Sequence, residues 1–247
     1  MHIPPLMAAA AGVGGGFVSV ATEFALTQFL SIADGGTDSD SITISAWYNR
    51  KAAATEHIVL GGAGAGNSNC YLLSDNGGTH AQDYQISDST AANRVRWAIP
   101  ASTDDAWHSI ILSVQLNAPF ASRQAQLFID GVDAGAPTNN TGSGAQVPWS
   151  GAWQINASAL GAGRQACLAF IWMDSALFDL SDPDILALFR NPVTGGPADL
   201  GTNGQIPTGS PPRVYLYGAG DELADNHGNL GAFTVNNGPL AACTNAP

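Results

Sequence analysis

The chain has 247 residues, 45% hydrophobic and only 11% charged, which is enough apolar content and length for one large β domain or two small ones. Its formal net charge is −12, and Lys51 is the single lysine among eight cationic side chains. A phosphate-tracking basic patch and an anionic membrane surface are therefore excluded as partners, because both need clustered Lys and Arg.

Residues 1–16 (MHIPPLMAAAAGVGGG) lack a cationic n-region, carry Pro4-Pro5 and hold an apolar run too short to span a membrane. They are expected to form an irregular arm of small residues that packs along a neighbouring subunit. Strands are predicted at Gly16–Ala21 and Leu26–Ile32. Phe24, Leu26, Leu30 and Ile32 share one parity while Phe29 breaks it, which leaves a helical turn open there. The segment Asp34–Asp40 is an acidic turn. Further strands are predicted at Ile42–Arg50, His57–Gly61, Asn69–Ser74, Asp83–Ile86 and Val95–Ala98, separated by Gly/Asn/Asp/Ser loops.

The stretch Trp107–Gly131 carries the plainest pattern. Ile110, Leu112, Val114 and Leu116 alternate with Ser113 and Gln115, the period of two of a half-buried strand. Asn117-Ala118-Pro119 ends it, Gln124–Ile129 forms the next strand, and Asp130-Gly131 supplies a tight turn into Val132. Asp133–Ser150 reads as an unstructured neutral loop. Ser181 is expected to cap a short helix over Asp182–Arg190, with Pro183 in the first turn and Ile185, Leu186 and Phe189 docking it. Beyond Val193 the composition is linker-like at Gly195-Gly196-Pro197 and Thr208–Pro212, bracketing little core, with strands at Arg213–Tyr217 and Gly231–Val235. Cys70, Cys167 and Cys243 are an odd set without metal-ligand spacing, allowing one pair at most. Cys70 and Cys167, in apolar strands, read as buried free thiols.

The Trp107-His108 pair opening a strand, the Leu127-Phe128-Ile129-Asp130-Gly131 ending, the Ile42–Tyr48 strand, Leu160-Gly161-Ala162, and the run from Ala169 to Ile185 together resemble laminin-G-like, concanavalin A-like jelly rolls over roughly residues 20–192. The resemblance implies an all-β, two-sheet antiparallel sandwich, organised as an arm (1–16), a jelly roll (17–192) and a C-terminal extension (193–247) whose strands return to complete the sandwich. The segment from Tyr215 to Leu240 is similar to tail segments of tailed-bacteriophage structural proteins that carry this jelly roll.

Enzymatic readings find little footing. Glu23, Glu56 and Glu222 are scattered, and none forms the Glu-x-Asp-x-x-Glu pattern associated with glycanases of this fold; Asp130 and Asp133 come closest to a carboxylate pair. Ser143 between two glycines is loop composition rather than a nucleophile elbow, and the Gly161–Ala166 fingerprint precedes a strand instead of the helix that phosphate binding requires. The five histidines lack zinc spacing, and His108 is assigned a structural role.

Two candidate sites remain. Laminin-G-like domains often hold calcium with loop carboxylates, which makes Asp34, Asp38 and Asp40 a candidate calcium site, with Asp104-Asp105 a second oxygen-rich loop; both serve equally well as solvated turns. Trp149 and Trp153, beside the long loop, are candidates for an exposed glycan-stacking platform or for a subunit interface. The sequence-level expectation is a non-enzymatic virion protein, in head decoration or the tail and fibre apparatus, forming a homo-oligomer such as a trimer and contacting other virion proteins or a host-surface glycan. The alternatives are a secreted carbohydrate-binding module and a divergent glycanase.

Overall fold

The structure is a computed structural model that describes residues 19–25, 27–50, 60–62, 71–75, 81–88, 94–100, 106–142, 144–156 and 165–247. Cys70, the Asp104-Asp105 loop, Leu160-Gly161-Ala162 and the 1–16 arm lie outside them.

Sixteen strands are present among the described residues: β1 (Thr22–Phe24), β2 (Phe29–Ile32), β3 (Ser41–Arg50), β4 (Leu60–Gly62), β5 (Tyr71–Asp75), β6 (Ala81–Ser87), β7 (Arg94–Pro100), β8 (Trp107–Gln115), β9 (Ala125–Ile129), β10 (Val132–Asp133), β11 (Asn139–Thr141), β12 (Trp153–Ile155), β13 (Ala166–Asp174), β14 (Val214–Leu216), β15 (Thr234–Asn236) and β16 (Ala241–Ala242). They build one large sheet, β10-β9-β8-β3-β13-β1-β16 with β14 also paired to β13, and two smaller sheets, β11-β7-β6-β5 and β15-β2-β12-β4. Every pairing is antiparallel. The architecture is the all-β sandwich that the alternation predicts.

The core between the large sheet and the smaller ones is filled by one parity of each strand. Ile42, Ile44, Ala46 and Tyr48 of β3 and Ile110, Leu112 and Val114 of β8 meet Leu30, Tyr84, Ile86, Val95, Trp97 and Ile155 from the opposing sheets. The other face of β8 is not solvated. Ile111 joins Phe128, Trp172, Leu180, Phe189, Leu200 and Tyr215 in a second cluster, because residues after β13 fold back over the large sheet. Polar side chains on that face bond to the cover. The Thr43 hydroxyl donates to the Ala176 carbonyl (2.7 Å), Ser113 contacts Thr43 (2.9 Å) and accepts the Phe178 N–H (3.0 Å), and Gln126 accepts the Leu180 N–H (2.8 Å).

Several expectations are corrected. The helix is shorter, Pro183–Ala187, and Asp182 caps it by accepting the Asp184 N–H; the Ser181 hydroxyl instead donates to Asp179. The two opening strands are displaced from Gly16–Ala21 and Leu26–Ile32: β1 spans Thr22–Phe24 and β2 begins at Phe29, with Thr27 at φ 78° in the turn between them. The loop after Asp133 is structured: β11 pairs with β7, and Val147 bridges Ser39. Arg123 ties it down by donating to the carbonyls of Ala118, Thr141 and Gly142 and to the Asn140 side chain. The segment after Val193 contributes buried Leu200, and the Trp172 indole N–H donates to the Gly204 carbonyl. Cys167 is not a free thiol. It bonds Cys243 across 76 residues, pinning the end of the chain to β13 beside the β1–β16 ladder. A bulge in β13 at Phe170 (φ 50°) turns Ala169 and Phe170 toward the same side, where they pack with Ala21 and Trp47.

Candidate functional site

The Asp34–Asp40 turn and the Trp149/Trp153 pair, far apart in sequence, meet around one residue that sequence reasoning passed over. Arg213, at the entrance to β14, donates from Nη1 to the carbonyls of Thr37 (2.7 Å) and Gly35 (3.3 Å). Its guanidinium carbon lies 4.7 Å from the centroid of the Trp149 ring, a cation–π contact. Burial lowers its pKa, with the charges of Asp174 and Asp38 opposing that shift.

The three carboxylates do not converge. Asp34 accepts the Gly36 N–H (2.8 Å), Asp38 accepts the Ser150 N–H (2.7 Å) and Asp40 accepts from the Gln146 amide (3.2 Å). Among the described residues no group of three or more His, Cys, Asp or Glu side chains is placed to hold a metal ion. Asp34, Asp38 and Asp40, the candidate calcium ligands, are not brought together as a set among the described residues. Each carboxylate caps backbone or side-chain N–H groups across the turn, and the cation at this loop is a guanidinium bound through carbonyls.

The exposed platform is corrected as well. Trp149 is 0% and Trp153 3% exposed, and the two indoles stack with centroids 4.5 Å apart. Trp149 Nε1–H donates to the Ser39 hydroxyl (2.8 Å) and Trp153 Nε1–H to the Trp149 carbonyl (3.2 Å), so both polar handles are satisfied internally. Gly35 permits this closeness, since a Cβ there would sit 2.5 Å from the Trp153 ring. No sugar can reach either face in this arrangement. The available signals were a lone arginine after Pro211-Pro212 and a glycine pair inside an acidic turn.

A second polar cluster lies at the β8–β9 end of the large sheet. Asp130 (φ 53°) and Gly131 (φ 80°) form the two-residue turn into β10, both in the left-handed region as such a hairpin requires. Asp130 accepts the Ser109 N–H (2.9 Å) through Oδ1 and pairs with His108 Nδ1 (2.7 Å) through Oδ2. Burial works to raise the Asp130 pKa, but the His108 and Ser109 hydrogen bonds, with the charges of His108 and Arg190, hold it below the usual carboxylate value. His108 also packs against Tyr48, centroids 5.5 Å apart, whose hydroxyl lies 3.4 Å from that of Tyr84. The Asp130 carboxylate thus locks a hairpin to a strand, and Asp133, its nearest companion in sequence, accepts the Gly135 N–H in its own turn (2.8 Å).

The profile of the Concanavalin A-like lectin/glucanases superfamily, Laminin_G_3, matches residues 24–171. No curated protein matches the chain. Among solved structures, the native heptameric SAP-like pentraxin from Limulus polyphemus superposes with a TM-score of 0.53 at 12% identity, covering 92% of this chain and 96% of that one. The LG4-5 domains of the mouse laminin alpha1 chain give a TM-score of 0.46 at 14% identity over 70% of this chain. The chain spans only about half of that laminin structure, 47%.

Proposed function

The chain belongs to the laminin-G family of the concanavalin A-like lectin/glucanases superfamily, and from that premise we propose that it is a non-enzymatic structural protein of a tailed-phage virion, using a lectin-like jelly roll for assembly or surface attachment. The observation that carries this reading is the C-terminal closure. The segment whose sequence is similar to phage structural proteins supplies β14 to β13, β15 to β2 and β16 to β1, so it is built into the sandwich as an integral part. The carboxylates nearest to a catalytic pair, Asp130 and Asp133, are engaged in turn geometry, which suits a binding or assembly role.

Mass spectrometry of gradient-purified phage particles from a lysate encoding the protein tests the proposal. Copies banding with infectious particles are expected. Recovery solely from the soluble fraction would sink it. The other reading, a secreted carbohydrate-binding module, draws on the lectin-type fold itself and predicts measurable affinity on a glycan array.

A further inference from the structure

Three asparagines in the chain precede a glycine: Asn76, Asn203 and Asn237. Asn76 lies outside the described residues. A glycine nitrogen is the least shielded backbone nucleophile, having no Cβ beside it, and it can close a five-membered ring on the preceding side-chain amide. In a folded chain, ring closure requires that this nitrogen be free and that the backbone around it have room to turn. The two described pairs differ in both respects.

Gly204 is buried. Its N–H donates to the Gly201 carbonyl (3.2 Å), its carbonyl accepts the Trp172 indole N–H (2.9 Å), and an added Cβ would meet the Tyr215 ring at 2.8 Å. Gly238 is the opposite case. Asn237 and Gly238 are both exposed, and the Gly238 N–H has no acceptor among the described residues. An added Cβ at Gly238 would meet only Gln28 Nε2, at 3.8 Å. The pair forms an open turn, with Asn237 at φ 66° and Gly238 at φ 104°. One hydrogen bond, from Asn237 Nδ2 to the Thr27 carbonyl (2.9 Å), restrains the side chain.

The place of this turn in the fold gives its chemistry a consequence. Residues 237–240 carry the chain from β15, paired to β2 in a smaller sheet, to β16, paired to β1 in the large one. The link is fixed at one end by the β15–β2 ladder and beyond the other by the Cys167–Cys243 bond, and Gln28 Nε2 donates to the Pro239 carbonyl between them (2.6 Å). An extra backbone atom here must displace one side, and β16, two residues long, is the weaker.

We propose that Asn237 is a site of spontaneous isoaspartate formation that loosens the C-terminal strand as the protein ages. The Gly238 nitrogen attacks Asn237 Cγ. The new N–C bond replaces the bond to Nδ2, which leaves as ammonia with the Gly238 amide proton. One solvent water then opens the succinimide, at either carbonyl, to aspartate or isoaspartate. Isoaspartate routes the backbone through the former side chain and lengthens it by one carbon. Either product sets an anionic oxygen where the amide donor faced the Thr27 carbonyl, so that contact is lost as well. The reaction needs only water and proceeds wherever the folded protein resides.

The test is incubation of the full, disulfide-bonded chain at neutral pH in heavy-oxygen water, followed by peptide mapping, with isoaspartate identified by enzymatic methylation. Isoaspartate carrying the heavy oxygen is expected at Asn237 at least about tenfold faster than at Asn203, whose glycine nitrogen must first be freed by local opening. In denaturant with the disulfide reduced, the two sites should react at similar rates, and Asn237→Gln should abolish the signal at that position. Equal rates at the two sites in the folded chain overturn the proposal. So does a folded chain that stays unmodified at Asn237 while the denatured chain reacts. Modified molecules, separated by their added negative charge, should lose hydrogen-exchange protection across residues 241–243 sooner than the parent; equal protection there also overturns it.

Discussion

Arg213 has exchanged water for two backbone carbonyls and an indole face, and that exchange is worth keeping only as a set. Arg213→Ala leaves both carbonyls and the Trp149 ring without their cation, and should cost about 2–3 kcal/mol of stability, read as a shift in the denaturant midpoint at constant slope. Arg213→Lys should recover part of this, because an ammonium keeps the charge but cannot reproduce the planar stacking over the indole. Asp130 makes a pH-dependent contribution. Its folded pKa is depressed, so its stabilisation is present above the ordinary carboxylate value of about 4 and lost as pH falls through the folded value. Unfolding midpoints measured across that acid range should fall less steeply for Asp130→Asn than for the parent. Equal slopes would mean that other carboxylates dominate acid unfolding.

At the level of elements, the strands and hairpins were legible where alternation and turn chemistry agreed. Ile42–Arg50 and the Asp130-Gly131 turn are there because period-two burial and two left-handed positions leave few alternatives. What alternation could not show was a strand buried on both sides. Ile111 and Ser113 occupy the parity that reads as solvent-facing, yet the segment after Asp174 covers them, and a cover that distant in sequence leaves no periodic trace. The tryptophan pair escapes sequence reading for a related reason: a neighbouring loop suggests exposure, whereas Gly35 and Ser39 of the Asp34–Asp40 turn and Arg213 before β14 close over it from two other segments. Trp149→Ala should therefore destabilise by about 3–5 kcal/mol, as large core truncations do, in thermal or denaturant melts. The Cys167–Cys243 bond fastens an otherwise two-residue terminal strand. Reduction, or Cys243→Ser, should cost about 2–4 kcal/mol. In hydrogen exchange, the β1–β16 ladder should lose protection before β3 and β8 do.

Over the whole molecule, an acidic chain with eight cationic side chains places two of them, Arg123 and Arg213, as donors to loop carbonyls, Arg213 at the Asp34–Asp40 turn that is the candidate calcium loop. Composition made that scarcity visible; the contacts depend on tertiary closure and were not readable from spacing. The same closure brings the C-terminal segment into both layers of the sandwich, through β14 and β16 in the large sheet and β15 in a smaller one. The most direct test is the mass of the purified protein by light scattering, with and without a chelator. The account predicts a stable trimer or larger assembly whose mass and melting temperature are unchanged by the chelator. A monomer that loosens when calcium is removed would contradict both the arginine-held loops and the assembly role.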